Sequence, residues 1–148
     1  MGTQVDGETL EEITRVLESL LKALRKMYRN GGVGVTEDGV MVSGLILATD
    51  MSFVDSPPPT CYLELMIEAG WVKFGRRFLK AGRRLQSGEA ANQVDLNDCI
   101  KLTLAGTLEA ERLQQPAYRR RFKEACGFII ENAAKGATDA AIRRLLHQ

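Results

Sequence analysis

The fold of this chain is decided chiefly by residues 9–30, which read TLEEITRVLESLLKALRKMYRN. Apolar side chains recur there in steps of three and four, as they do on one face of an α-helix. The members of this apolar stripe are Leu10, Ile13, Leu17, Leu20, Leu24 and Met27. Acidic residues come early in the stretch and basic residues come late, an order that the helix dipole favours. The sequence therefore predicts a long amphipathic first helix.

Both ends of this helix carry recognisable signals. Thr9, with Glu12 three residues later, matches a capping box, in which the two side chains satisfy free backbone N–H groups. Asn30, Gly31 and Gly32 suit the left-handed backbone that commonly ends a helix. We therefore expect the helix to begin at Thr9, after a flexible N-terminus at residues 1–8, and to end by Gly32.

The apolar stripe of the first helix allows two interpretations. It can pack against the rest of its own domain, or it can form the seam of a homodimer. A coiled coil usually sustains about three to four heptads, and this stripe ends just short of that length. We take its six residues as the expected oligomer interface, and we predict self-association through this helix.

A β-hairpin is predicted directly after the first helix. Residues 33–42 read VGVTEDGVMV, in which alternating valines flank a turn that ends in Asp-Gly. This pattern is typical of a short hairpin. Residues 44–49 are apolar, and their spacing allows either an extension of the second strand or the start of a helix. We treat residues 33–49 together as the hairpin region.

The remainder of the chain predicts further helices. A proline-rich connector occupies residues 55–59. Helical spacing follows over residues 60–85, with a break near Gly70 allowed, and over residues 95–113, 116–135 and 138–146. We therefore expect a mainly α fold in one domain, residues 1–148: a compact bundle of about five helices, with one short β-hairpin inserted after the first helix.

Residues that could act in catalysis are few in this sequence. The one histidine, His147, precedes the last residue, and chain ends rarely hold a side chain in the fixed position that acid–base catalysis needs. Cys99 and Cys126 lie in apolar patterns and are interpreted as core residues. Cys61 stands at a predicted helix start, where a thiol can be activated. Glycine-rich phosphate loops are absent. We expect no enzymatic activity, no cofactor and no metal site.

The counts of charged residues and cysteines, and the length of the apolar runs, indicate the compartment and limit the kinds of partner. Twenty basic and nineteen acidic residues give a net charge of +1, whereas a dedicated nucleic-acid binder is usually more basic. The three cysteines form neither a disulfide framework nor a CxxC pair. Apolar runs stay below the ~18 residues that a membrane span needs. We expect an intracellular protein, either cytoplasmic or nuclear.

Residues 71–85 form a basic segment without any acidic residue. Its basic members are Lys73, Arg76, Arg77, Lys80, Arg83 and Arg84, and Trp71, Phe74 and Phe78 interleave with them. On a helix, this segment could bind nucleic-acid phosphates, an anionic membrane or an acidic protein. The alternative is an aromatic stripe that faces the core and a basic back that faces water.

A second basic cluster comprises Arg119, Arg120 and Arg121, followed by Lys123. Together with Trp71 and the basic residues of the segment 71–85, these three arginines are the expected contact residues. We predict a non-enzymatic protein–protein interaction module of the adaptor, regulatory or viral accessory type. The alternatives are binding of RNA or DNA through residues 71–85 and peripheral binding to an anionic membrane.

Overall fold

The computed structural model describes residues 6–32, 34–49, 58–76 and 94–135. The helices in these ranges are α1 (Gly7–Asn30), α2 (Val42–Ala48), α3 (Pro59–Glu68), α4 (Leu104–Arg112) and α5 (Arg119–Lys135). The strands are β1 (Val35–Thr36), β2 (Gly39–Met41), β3 (Val72–Arg76) and β4 (Cys99–Leu102). A 3-10 turn at Pro116–Tyr118 leads into α5. The mainly α class and the hairpin after the first helix are confirmed.

Helix α1 is central to the fold because it packs against each of the other four helices described. Its apolar stripe is buried inside this chain: Ile13, Leu17, Leu20, Leu24 and Met27 belong to the hydrophobic core, and Leu10 packs against that core. The stripe therefore packs within its own domain, which is the first of the two interpretations. A second copy could reach these residues only if the core opened.

Helix α1 begins earlier than the sequence predicted. Its N-cap is Asp6 rather than Thr9: the Asp6 carboxylate accepts hydrogen bonds from the Thr9 backbone N–H at 2.8 Å and from the Thr9 hydroxyl at 3.0 Å. A carboxylate is a good cap because it satisfies a free N–H and suits the helix dipole. Residues 7–8, expected to be flexible, therefore form the first turn. The predicted end is confirmed, because the Gly31 N–H donates to the Met27 carbonyl at 2.8 Å.

The hairpin forms as predicted and belongs to a larger sheet. Val35 of β1 pairs with Val40 of β2, and Thr36 pairs with Gly39. The sheet is antiparallel throughout, with strand order β1-β2-β4-β3. The residues 44–49, whose conformation the sequence left open, belong mostly to helix α2, which begins directly after β2.

The prediction of helix after Gly70 is wrong for the part of the segment that the structure describes. Gly70 adopts φ +77°, its N–H donates to the Ile67 carbonyl, and the Trp71 N–H donates to the Met66 carbonyl. This pair of bonds is the Schellman arrangement that ends a helix. Residues 72–76 then form β3, because pairing with β4 satisfies their backbone.

The single helix predicted over residues 95–113 is also wrong, since β4 occupies its first part. Val72 of β3 pairs with Leu102 of β4. Thr103 then caps α4 by accepting a hydrogen bond from the Gly106 N–H at 3.1 Å. The helix predicted at residues 138–146 lies outside the described residues, as does most of the connector before Pro58. Within the described ranges, none of the helices combines the length and apolarity needed to cross a bilayer.

Candidate binding cleft

The basic segment 71–85 is only partly described. Trp71 is 5% exposed and stacks on Phe122 of α5, with ring centroids 5.3 Å apart. Trp71 is thus a core residue and offers no contact surface. Lys73 is exposed on β3, and Arg76 is the last residue of that strand. Arg77, Lys80, Arg83 and Arg84 lie outside the described residues.

Part of the second basic cluster is paired with acids of α1. Arg119 Nη2 lies 2.8 Å from Glu11 Oε1, and Arg119 Nε lies 3.2 Å from Glu18 Oε1. Lys123 Nζ lies 2.9 Å from Glu11 Oε2. The acidic start of α1 and the basic start of α5 therefore complement each other within one molecule. These two cations already have carboxylate partners.

The electrostatics of this contact favour its charged form. The hydrogen bonds from Arg119 and then from Lys123 lower the pKa of Glu11 from 4.5 to about 2. The hydrogen bond to Glu11 raises the pKa of Arg119. Arg120 and Arg121 are exposed, and Arg120 Nε lies 3.9 Å from Glu124 Oε1 of the same helix.

A cleft of about 930 Å³ lies between the second half of α1 and the corner where α4 leads into α5. Its lining consists of Glu18, Lys22, Arg25, Lys26, Arg29, Asn30, Ala110, Leu113, Gln114, Pro116 and Arg119. Five of these side chains are basic and one is acidic. Four of the basic ones come from α1, where steps of three and four place them along one side of the helix. We call this feature the basic cleft.

The four α1 cations of the basic cleft differ in their partners. Arg25 Nη2 lies 2.6 Å from Glu111 Oε1 of α4, and Lys22 Nζ lies 3.3 Å from Glu18 Oε2. Arg25 Nε is buried and has no hydrogen-bond partner among the described residues. A guanidinium carries five N–H donors, so Arg25 retains capacity for a further acceptor.

Lys26 and Arg29 differ from the other two α1 cations of the basic cleft because they have no carboxylate partner among the described residues. Both side chains are exposed, and neither forms an ion pair with another described residue. The floor of the cleft is apolar, because Ala110 and Leu113 are buried beneath it. The cleft therefore combines accessible positive charge with a small apolar base.

The corner beside the basic cleft is tied together by hydrogen bonds and charge. The Tyr118 hydroxyl donates to Glu109 Oε2 at 2.7 Å, and the Arg112 guanidinium carbon lies 5.9 Å from the centre of the Tyr118 ring. Burial, and then the Glu109 carboxylate, raises the pKa of Tyr118. These contacts hold the end of α4 against the 3-10 turn that leads into α5, and so they fix the wall of the cleft opposite α1.

The thiols lie in the interior. Cys61, the thiol that the sequence places at a helix start, is buried, as are Cys99 and Cys126. Burial raises the pKa of the Cys126 thiol to about 12. Among the described residues, no group of three or more histidines, cysteines or carboxylates could hold a metal ion. His147 lies outside those residues.

Sequence reasoning missed the basic cleft, although one signal for it is visible. Residues 19–30 contain four basic residues and no acidic residue. From the sequence they are explained as charges that suit the helix dipole, because the pattern within one helix does not reveal what lies opposite. The opposite wall comes from residues about 85 positions further along the chain, as the ion pair between Arg25 and Glu111 illustrates.

Comparisons with protein-family models, with curated proteins and with solved structures found no match for this chain.

Proposed function

We propose that this chain is a non-catalytic protein-interaction module that binds an acidic segment of a partner protein in the basic cleft. The observation that carries the proposal is the row of four α1 cations in a cleft that one acidic side chain also lines. Two of them, Lys26 and Arg29, are exposed without an ion pair to another described residue. Carboxylates would supply the missing partners.

The chemistry of the lining favours carboxylates on a polypeptide over the phosphates of a nucleic acid. Binding to single strands commonly uses aromatic side chains on which bases stack, and none of the lining residues is aromatic. Binding also draws on many phosphate contacts along a basic track. Arg119 and Lys123, which could extend such a track towards α5, are paired with Glu11.

The cleft is also a better candidate contact than the apolar stripe of α1. The stripe supports the core, and its exposure would cost the burial of several large aliphatic side chains, each about 1.5–3 kcal/mol. The basic cleft is open to solvent without any rearrangement. We therefore place the partner at the cleft rather than at a seam between two α1 helices.

Charge reversal at the two accessible cations tests this proposal. We expect Lys26→Glu/Arg29→Glu to weaken the binding of a short, fluorescently labelled Glu-rich peptide about tenfold or more. The dissociation constant would be measured by fluorescence anisotropy. Affinity for the wild-type chain should fall as salt is added, because the contacts are exposed charges.

A matched control separates the cleft from the net charge of the chain. Lys73→Glu/Arg121→Glu makes the same change in charge at two exposed positions that do not line the cleft. It should leave the dissociation constant of the peptide within about twofold of the wild-type value. Equal weakening by both double variants would contradict the proposal. So would tight binding of a single-stranded oligonucleotide or of anionic vesicles by a chain that does not bind the peptide.

A further inference from the structure

Three large apolar side chains are exposed along the boundary between α1 and α4. Tyr28 of α1 is 42% exposed, and Leu104 and Leu108 of α4 are 77% and 41% exposed. An exposed apolar group with a charged border is a common mark of a contact surface. We call these three residues the seam strip.

The α4 side of the seam strip leads directly to the basic cleft. Leu104, Leu108 and Glu111 follow one another in steps of four and three, which places them on one face of α4. Glu111 reaches across to Arg25, with 2.6 Å between Oε1 and Nη2. Arg25 lines the cleft, so the apolar face of α4 ends where the basic cleft begins.

The α1 side follows the same boundary. Tyr28 comes one turn after Arg25, and its hydroxyl accepts a hydrogen bond from the Leu102 N–H at 3.2 Å. Leu102 lies two residues before Leu104, so Tyr28 is held next to the start of α4. The Arg25–Glu111 contact lies at the end of the strip next to the cleft. The Tyr28–Leu102 contact lies at its other end, next to β4.

We infer that the seam strip binds the apolar side of an amphipathic acidic helix, whose carboxylates enter the basic cleft. This inference rests on the function proposed above and specifies the form of the bound segment. Leu104 and Leu108 are one helical turn apart, a spacing that accepts the side chains of a second helix. An amphipathic helix in a groove presents apolar anchors at steps of three and four.

Charge and area favour such a segment over a second copy of the chain. Lys26 and Arg29, on the same helix as Tyr28, are exposed cations, and they select an acidic partner. A stable dimer usually buries ~800 Å² on each partner. The three exposed side chains of the strip match one or two turns of a short helix better than an interface of that size.

Two peptides of identical composition test the inference. In the first peptide, Leu residues at helical spacing face away from Glu residues; in the second, the same residues are scrambled. We expect the wild-type chain to bind the first peptide about tenfold more tightly than the second. Leu104→Ser/Leu108→Ser should reduce this ratio to near one. Leu47→Ser changes an 80% exposed leucine of α2 outside the strip and should leave the ratio unchanged.

The outcomes distinguish this inference from the proposed function. If Lys26→Glu/Arg29→Glu abolishes the binding of both peptides but wild type does not discriminate between them, the inference is overturned and the proposed function stands. If neither peptide binds wild type, the proposed function fails as well. Light scattering that shows a wild-type dimer and a monomeric Leu104→Ser/Leu108→Ser variant would assign the strip to a second copy and overturn the inference. Circular dichroism checks that each variant folds.

Discussion

Two helical glycines have opposite surroundings. A Cβ on Gly106, in the first turn of α4, would overlap the backbone carbonyl of Trp71. A Cβ on Gly127, in α5, would meet only the Leu10 methyl groups, at 3.7 and 3.8 Å, which is ordinary van der Waals contact. Helix propensity alone favours alanine over glycine by about 1 kcal/mol. The packing of α4 against Trp71 therefore determines the effect of an alanine at Gly106, whereas helix propensity determines it at Gly127.

We expect these two glycines to respond in opposite directions to alanine. Gly127→Ala should raise the free energy of unfolding by about 0.5–1 kcal/mol, because alanine restricts the unfolded chain and suits a helix. Gly106→Ala should lower it by about 1–3 kcal/mol, because the methyl group forces the backbones apart. Urea denaturation of both variants measures the difference. Stabilisation by Gly106→Ala would mean that α4 does not pack against Trp71.

Helices α1 and α5 are joined by exposed charges as well as by their apolar faces. Glu11 accepts hydrogen bonds from Arg119 and forms an ion pair with Lys123. The pKa of Glu11 is lowered from 4.5 to about 2, so its charged form is favoured in the folded state. A lowered carboxylate pKa gives stability that is complete above the unfolded pKa and disappears as pH falls through the folded pKa.

We expect Glu11→Gln to remove a pH-dependent part of the stability. The difference in free energy of unfolding between wild type and this variant should be constant above about pH 4.5 and should approach zero near pH 2, the window set by the two pKa values of Glu11. Urea denaturation across this range measures it. Glu12→Gln, which removes an ion pair to Arg15 within α1, is the matched control in the same turn. A constant difference down to pH 2 would contradict the proposed α1–α5 contact.

The elements that the sequence predicts well are those that local interactions determine. Helix α1 carries its own periodicity and its own glycine stop, and the hairpin carries its own turn. Strands β3 and β4 could not be predicted in this way, because each depends on a partner far along the chain. Short apolar runs are compatible with a helix or with a strand until that partner is known. The Asp6 cap was missed because Thr9 and Glu12 offered a competing capping box.

On the scale of the whole molecule, the charges of α1 serve two purposes. Acids in its first half, Glu11 and Glu18, are paired with α5. Bases in its second half line the basic cleft, and Lys26 and Arg29 are exposed there. A net charge of +1 conceals this division, since the sum does not show which charges are already paired. The composition therefore does not predict the site, because the tertiary arrangement of α1, α4 and α5 defines it.

We propose above that α1 and α4 together form the contact surface for an acidic partner. The most direct measurement is a titration of the ¹⁵N-labelled chain with the amphipathic Glu-rich peptide, followed by backbone amide chemical shifts. We expect the largest changes at residues 22–30 and 104–114, on the two walls of the cleft and along the seam strip. The amide shifts of β3, and those of β4 before Leu102, should change little. Changes centred on the sheet or on the exposed face of α5, or no changes at all, would contradict the claim.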